Sequence, residues 1–130
     1  MKRIDGRTLG RWSLRLDAIY CALLGAAVAV GAAPLSTVIA LPHAVITSAG
    51  IVVVIWSGLV LWMLMKLRIR AALLTVLGVN ILATALVAVS ATAAGTFLAA
   101  IAVLAIAVDI AIFAASQVLA LRALAPRPAA

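Results

Sequence analysis

An acidic residue, Asp109, stands in the middle of the apolar run 103–117, VLAIAVDIAIFAASQ. A carboxyl group at the centre of a bilayer costs about 2.5–3.5 kcal/mol on insertion scales, so its presence needs a physical reason. Such a group can hydrogen-bond a neighbouring helix, exchange protons or bind a cation, or contact another subunit. The sequence leaves these three roles open.

Other polar side chains fall at a similar depth. With a helical rise of 1.5 Å per residue, Asn80, Ser57 and Asp109 lie roughly 15, 14 and 20 Å from the nearest basic residue along the chain. We therefore expect all three near the midplane, where the Asn80 amide or the Ser57 hydroxyl would hydrogen-bond a neutral Asp109. Three further midplane candidates share helical faces with these residues: Thr84, Ser116 and Gln117.

A second polar stripe, Asp17, Tyr20 and Cys21, lies near the start of the first apolar run. Because Arg15 is only two residues from Asp17, we expect Asp17 to be paired or solvated near the headgroups. Asp17 and Tyr20 are therefore candidates for an interface at the cytoplasmic end of the protein.

The residue inventory argues against catalysis. The chain has no Glu, one His and one Cys, which are too few ligands for a metal cluster and exclude a CxxC site. It also contains no HExxH, GxSxG or Gly-rich phosphate loop. His43 lies at the outer end of the second span, whereas Asp17 and Tyr20 lie at the inner end of the first, so these residues form no acid–base group. We expect a non-enzymatic protein with no cofactor and no metal.

The elements that position these residues are apolar helices. Hydrophobic residues make up 68% of the 130-residue chain, charged residues 10%, and the mean hydropathy is +1.37. Soluble domains are about 45–50% apolar and about 25% charged, so this chain must face lipid. We predict one all-α transmembrane domain, a four-helix bundle with spans at about 13–33, 43–65, 69–90 and 95–121 and tails at 1–12 and 122–130.

The basic residues give this bundle a direction. All ten Lys and Arg residues lie in the N-terminal segment, the 66–70 connection or the C-terminal segment, and the connections at 34–42 and 90–95 carry none. The positive-inside rule then predicts cytoplasmic N- and C-termini and a multi-pass protein of the inner (plasma) membrane. The net charge of +7 favours anionic lipid headgroups as a partner, and without interleaved aromatic residues it does not indicate nucleic acid.

The first span has an alternative interpretation. Residues 1–33 combine a basic start, an apolar stretch and small residues at 31–33, which is also the layout of a signal peptide. Removing the segment would leave three spans that still obey the charge rule. We expect the segment to be the first membrane span.

Short motifs accompany this architecture. The LRLDA start of the first span and the Val79–Asn80 dipeptide of the third resemble segments of small four-helix integral membrane proteins of high-GC bacteria. That resemblance implies a bacterial inner-membrane protein and implies no activity. In size and span count the chain is also similar to small multidrug resistance transporters, but it lacks the Glu that they carry in the first span.

Three functions follow as hypotheses. The first is a non-enzymatic helix-packing or accessory subunit that contacts a membrane-protein partner or forms a parallel homo-oligomer. The alternative is a small proton-coupled or cation-substrate transporter that uses Asp109 at the midplane. An intramembrane enzyme acting on lipid is the third and weakest hypothesis.

Overall fold

The computed structural model describes residues 3–126, which form five α-helices and one 3₁₀ turn. The basic residues Lys2 and Arg127 and the end of the predicted C-terminal tail lie outside the described residues. In chain order the helices are α1 (Gly6–Val30), α2 (Ala32–Val38), α3 (His43–Lys66), α4 (Ile69–Ser90) and α5 (Phe97–Leu124), and the 3₁₀ turn Ala91–Ala93 extends α4.

Four of these helices are long and apolar enough to cross a membrane: α1, α3, α4 with its 3₁₀ extension, and α5. This confirms the all-α architecture and the four apolar helices expected from the sequence. The short helix α2 and the residues before α3 connect the first two spans. Pro34 is in the first turn of α2, where its missing N–H costs no hydrogen bond, and Pro42 precedes α3.

The first span starts earlier than the apolar pattern suggests, at Gly6 rather than near residue 13. Asp5 caps it by accepting hydrogen bonds from the Arg7 N–H at 3.1 Å and the Thr8 hydroxyl at 2.7 Å. The Thr8 hydroxyl and then the Arg7 N–H lower the pKa of Asp5, because both stabilise the carboxylate. Residues 6–12, expected in a basic tail, are therefore the first two turns of α1.

Helix α1 is central to the bundle. It packs along α3 on one side and α5 on the other, and α5 also packs along α4, whereas α3 and α4 touch little. The buried core lies towards the end that carries the 66–70 connection, which we call the basic end. Its buried side chains are Leu14, Ala18, Val60, Met63, Ala72, Leu73, Val76 and Ala120.

The α1–α3 contact is closest where two glycines meet. A Cβ on Gly50 would lie 2.5 Å from the backbone nitrogen of Ala29, and one on Gly25 would lie 2.7 Å from the carbonyl oxygen of Gly50. Neither position has room for a side chain, so the two backbones touch directly, as small residues allow in membrane helices.

The opposite end, which we call the far end, contains both uncharged connections. They are joined by backbone hydrogen bonds from Ala40 N–H to Ala93 O (2.8 Å) and from Gly95 N–H to Val38 O (2.7 Å). A cavity of about 470 Å³ lies beneath these connections, beside the close contact of α1 with α3 at Gly25 and Gly50. The main cluster of buried side chains is therefore towards the basic end, and the cavity is at the far end.

Candidate functional site

Polar side chains of α1 and α5 face each other along the contact between these helices. On α1, Ser13, Asp17 and Tyr20 are spaced i, i+4 and i+7 and therefore share one face. They meet the α5 stripe that the sequence predicts, through residues Ser116, Gln117 and Asp109. The result is a ladder of three polar contacts across one helix–helix interface.

The middle contact is a buried group of three side chains, Asp17, Asn80 and Gln117, which we call the buried triad. Their exposed fractions are 2%, 3% and 0%. One carboxylate oxygen of Asp17 accepts hydrogen bonds from the Asn80 amide at 2.6 Å and the Gln117 amide at 2.9 Å. Asn80 also donates to the side-chain amide oxygen of Gln117 at 3.3 Å. The triad thus joins α1, α4 and α5 through one acceptor.

Two contacts flank the triad. One turn nearer the basic end, the hydroxyl oxygens of Ser13 and Ser116 lie 2.6 Å apart. On the other side, the half-buried Cys21 thiol donates to the second carboxylate oxygen of Asp17 at 3.5 Å. Ser13 was missed in the sequence, although it stands four residues before Asp17 on the same face. Its position at the edge of the apolar run made it look like a boundary residue.

The third contact of the ladder differs from the other two in its exposure. The Tyr20 hydroxyl donates to Asp109 at 2.9 Å, and the Tyr20 ring lies 5.5 Å from that of Phe113. Asp109 is nevertheless an exposed residue on the outside of the bundle. It lies roughly 18 Å from Phe97 at 1.5 Å per residue, close to the centre of α5. The acid that stands out in the sequence therefore faces outward at mid-span.

Two expectations from the sequence are wrong. Asn80 does not meet Asp109, because its amide hydrogen-bonds Asp17 and Gln117. Arg70 and Arg122 do not lie at the same level of the bundle, since Asn80 is ten residues from Arg70 and its neighbour Gln117 is only five from Arg122.

The second concerns Asp17, which is not solvated at the membrane boundary. Helix α1 starts two turns earlier than expected, so Asp17 lies within the helix, on the face that packs against α4 and α5. Arg15, two residues away, lies on the opposite, exposed face of α1.

The hydroxyl groups of the remaining predicted residues donate hydrogen bonds to backbone carbonyls of their own helices. Ser57 is buried and donates to the Val54 carbonyl at 2.7 Å, so it does not reach Asp109. Thr84 donates to the Asn80 carbonyl at 2.8 Å. Ser116 has a second contact of 2.7 Å to the Phe113 carbonyl.

An apolar cavity at the far end was not foreseen. It is bordered by all four spans and α2, and its polar lining residues, Ser90 and Thr96, already bind backbone groups of their own helices. Leu24 and Ile106 also line it. Leu24 is about one turn from Tyr20 on α1, and Ile106 is about one turn from Asp109 on α5. The inner end of the cavity therefore adjoins the outward acid.

The two acids have different chemical capacities. Three donors converge on Asp17, and no water-filled space is needed to satisfy it, as expected for a structural group. Asp109 has one donor, and a carboxylate can accept about four hydrogen bonds. Within residues 3–126 no three His, Cys, Asp or Glu side chains are placed to hold a metal ion. The group with unused capacity is Asp109.

No family model, curated protein or solved structure matches this chain. Conclusions about function therefore depend on the geometry of its own residues.

Proposed function

We propose that the protein is a non-enzymatic accessory subunit that binds a partner membrane protein through one face of α5. The observation that supports this role is the exposed Asp109 at mid-span. The surface around it, the Asp109 face, consists of Ala102, Ala105, Asp109 and Ile112. Ala102 and Ala105 are small, so a partner helix can approach the α5 backbone closely there.

An acid that faces hydrocarbon is costly, and a single tyrosine hydroxyl does not replace its lost hydration. A partner helix with a basic residue or a hydrogen-bond donor at the same depth supplies the missing contacts. This chain has no basic residue there, since its ten Lys and Arg lie in the terminal segments and the 66–70 connection. A second copy would place two acids together, so a different protein is the better complement.

In this proposal the basic end is cytoplasmic and the membrane is the inner membrane of a bacterium. The positive-inside distribution supports that orientation, and Trp12 and Trp62, both half-exposed near the basic end, are placed as interfacial aromatic residues would be.

A photo-crosslinking amino acid at Ala105 in native membranes tests the accessory role. The expected result is a crosslink to one other membrane protein, which is lost when Asp109→Leu is added, because leucine removes both the charge and the acceptor. The same crosslinker at Leu82, which is 60% exposed on α4, is the matched control. Equal crosslinking from both positions would indicate random collisions, and crosslinks only to second copies would replace the accessory role with a homo-oligomer.

The cavity favours transport of an apolar cation as a second candidate. Its apolar walls suit the hydrocarbon part of such a substrate, and Asp109 beside its inner end supplies the negative charge. Asp109→Asn in proteoliposomes should then abolish proton-coupled uptake of a lipophilic cation such as tetraphenylphosphonium. Uptake that does not change would exclude this mechanism.

A further inference from the structure

A cleft of about 490 Å³ lies between α1 and α3 near the basic end. We name it the arginine cleft; its lining residues are Arg11, Arg15, Leu61, Leu64 and Met65. One wall is cationic, because Arg11 and Arg15 are spaced i, i+4 and lie on the same face of α1. The other wall is the apolar side of α3.

Within residues 3–126 the two arginines have no acidic partner. The three side-chain carboxylates of the chain are all engaged elsewhere: Asp5 caps α1, Asp17 is in the buried triad and Asp109 binds Tyr20. Arg15 has an aromatic contact instead: its guanidinium carbon lies 5.8 Å from the centre of the Trp12 ring. The cleft therefore holds two positive charges that need an anion from outside the chain.

We propose that the arginine cleft binds one anionic phospholipid of the leaflet at the basic end. A guanidinium group binds a phosphate through two parallel N–H···O hydrogen bonds. The aliphatic part of an arginine side chain can extend along an apolar surface to the level of the headgroups. The acyl chains then lie on Leu61 and Met65, both exposed on α3. The lipid bridges α1 and α3 at the end where both helices reach the membrane boundary. This site is independent of the Asp109 face, so either proposal can fail alone.

The test is native mass spectrometry of the full chain in neutral detergent, titrated with phosphatidylglycerol or phosphatidylcholine. The chain should retain one phosphatidylglycerol in preference to phosphatidylcholine. Arg11→Gln with Arg15→Gln should weaken that binding roughly tenfold to thirtyfold, as expected from the loss of two cationic contacts. The matched control, Arg68→Gln with Arg70→Gln, removes the same charge at the same end and should leave binding within about twofold.

Two further measurements make the result decisive. Arg11→Lys with Arg15→Lys keeps the charge and should keep most of the preference, so it separates lipid binding from a failure to fold. Millimolar inorganic phosphate should not displace the lipid; displacement would assign the cleft to free phosphate. Equal losses in both glutamine pairs, or no loss in either, would overturn the proposal.

Discussion

At the scale of single residues, the two aspartates within the spans differ in environment. Asp17 is 2% exposed and accepts hydrogen bonds from Asn80, Gln117 and Cys21. Asp109 is exposed and accepts one, from Tyr20. The buried acid has the geometry of a structural group, and the outward acid retains the capacity to bind a partner.

Replacing each aspartate with leucine should separate these roles. Asp17→Leu leaves two buried amides without their acceptor and should lower the free energy of unfolding by about 1–3 kcal/mol. Asp109→Leu puts an apolar side chain on an outer surface and should lower it by no more than about 0.5 kcal/mol. Unfolding in mixed detergent–SDS micelles measures both values; equal losses would contradict the distinction.

The sequence predicts the polar faces well and their pairing poorly. The stripe of Asp109, Ser116 and Gln117 follows from helical periodicity, and so does that of Asp17 and Tyr20. The pairing of residues across two helices depends on where each helix begins and on how the helices tilt. Helical periodicity gives no information about either. Asp109 was for that reason expected to meet Asn80, which instead lies beside Gln117.

At the scale of helices, the start of α1 decides how far along the helix Asp17 lies. An Asp followed by Gly-Arg-Thr is a recognisable N-cap, and weighting it above the apolar pattern would have placed the helix start correctly. The four apolar helices were predictable because twenty apolar residues have few alternatives to a membrane span. The far-end cavity was not, since it results from how the helices diverge.

The closest helix contact offers a test on α3. Gly50→Ala should lower the free energy of unfolding by about 1–3 kcal/mol, because its Cβ would lie 2.5 Å from the backbone of α1. Gly58→Ala, on the same helix, has no atom within 4 Å of the added Cβ and should leave stability unchanged or raise it by about 0.5–1 kcal/mol. A Gly50→Ala protein as stable as the Gly58→Ala protein would place the α1–α3 contact elsewhere.

At the scale of the whole molecule, packing changes along the bundle. Buried side chains and the triad hold the helices together at and near the basic end, and the far end opens around an apolar cavity. The buried triad is not part of the cavity lining.

The proposed orientation makes a prediction for opposite ends of the bundle. In a Cys21→Ser background, Thr37→Cys in the far-end connection should react with a membrane-impermeant maleimide in intact cells. Leu67→Cys, at the basic end, should react only after permeabilisation. Both residues are exposed, so accessibility within the protein is matched. The reverse pattern would invert the topology that the positive-inside rule predicts.

The central claim is that α1 and α5 meet in a register that buries Asp17 and leaves Asp109 outside. Paired cysteines test it most directly, in membranes and with Cys21→Ser as background. Ser13→Cys with Ser116→Cys should oxidise rapidly to a disulfide, because the two side-chain oxygens lie 2.6 Å apart. Asn80→Cys with Asp109→Cys should not, since Asp109 lies eight residues from Gln117, the neighbour of Asn80, or roughly 12 Å along α5. A disulfide at 80–109 with none at 13–116 would contradict this register of α1 against α5.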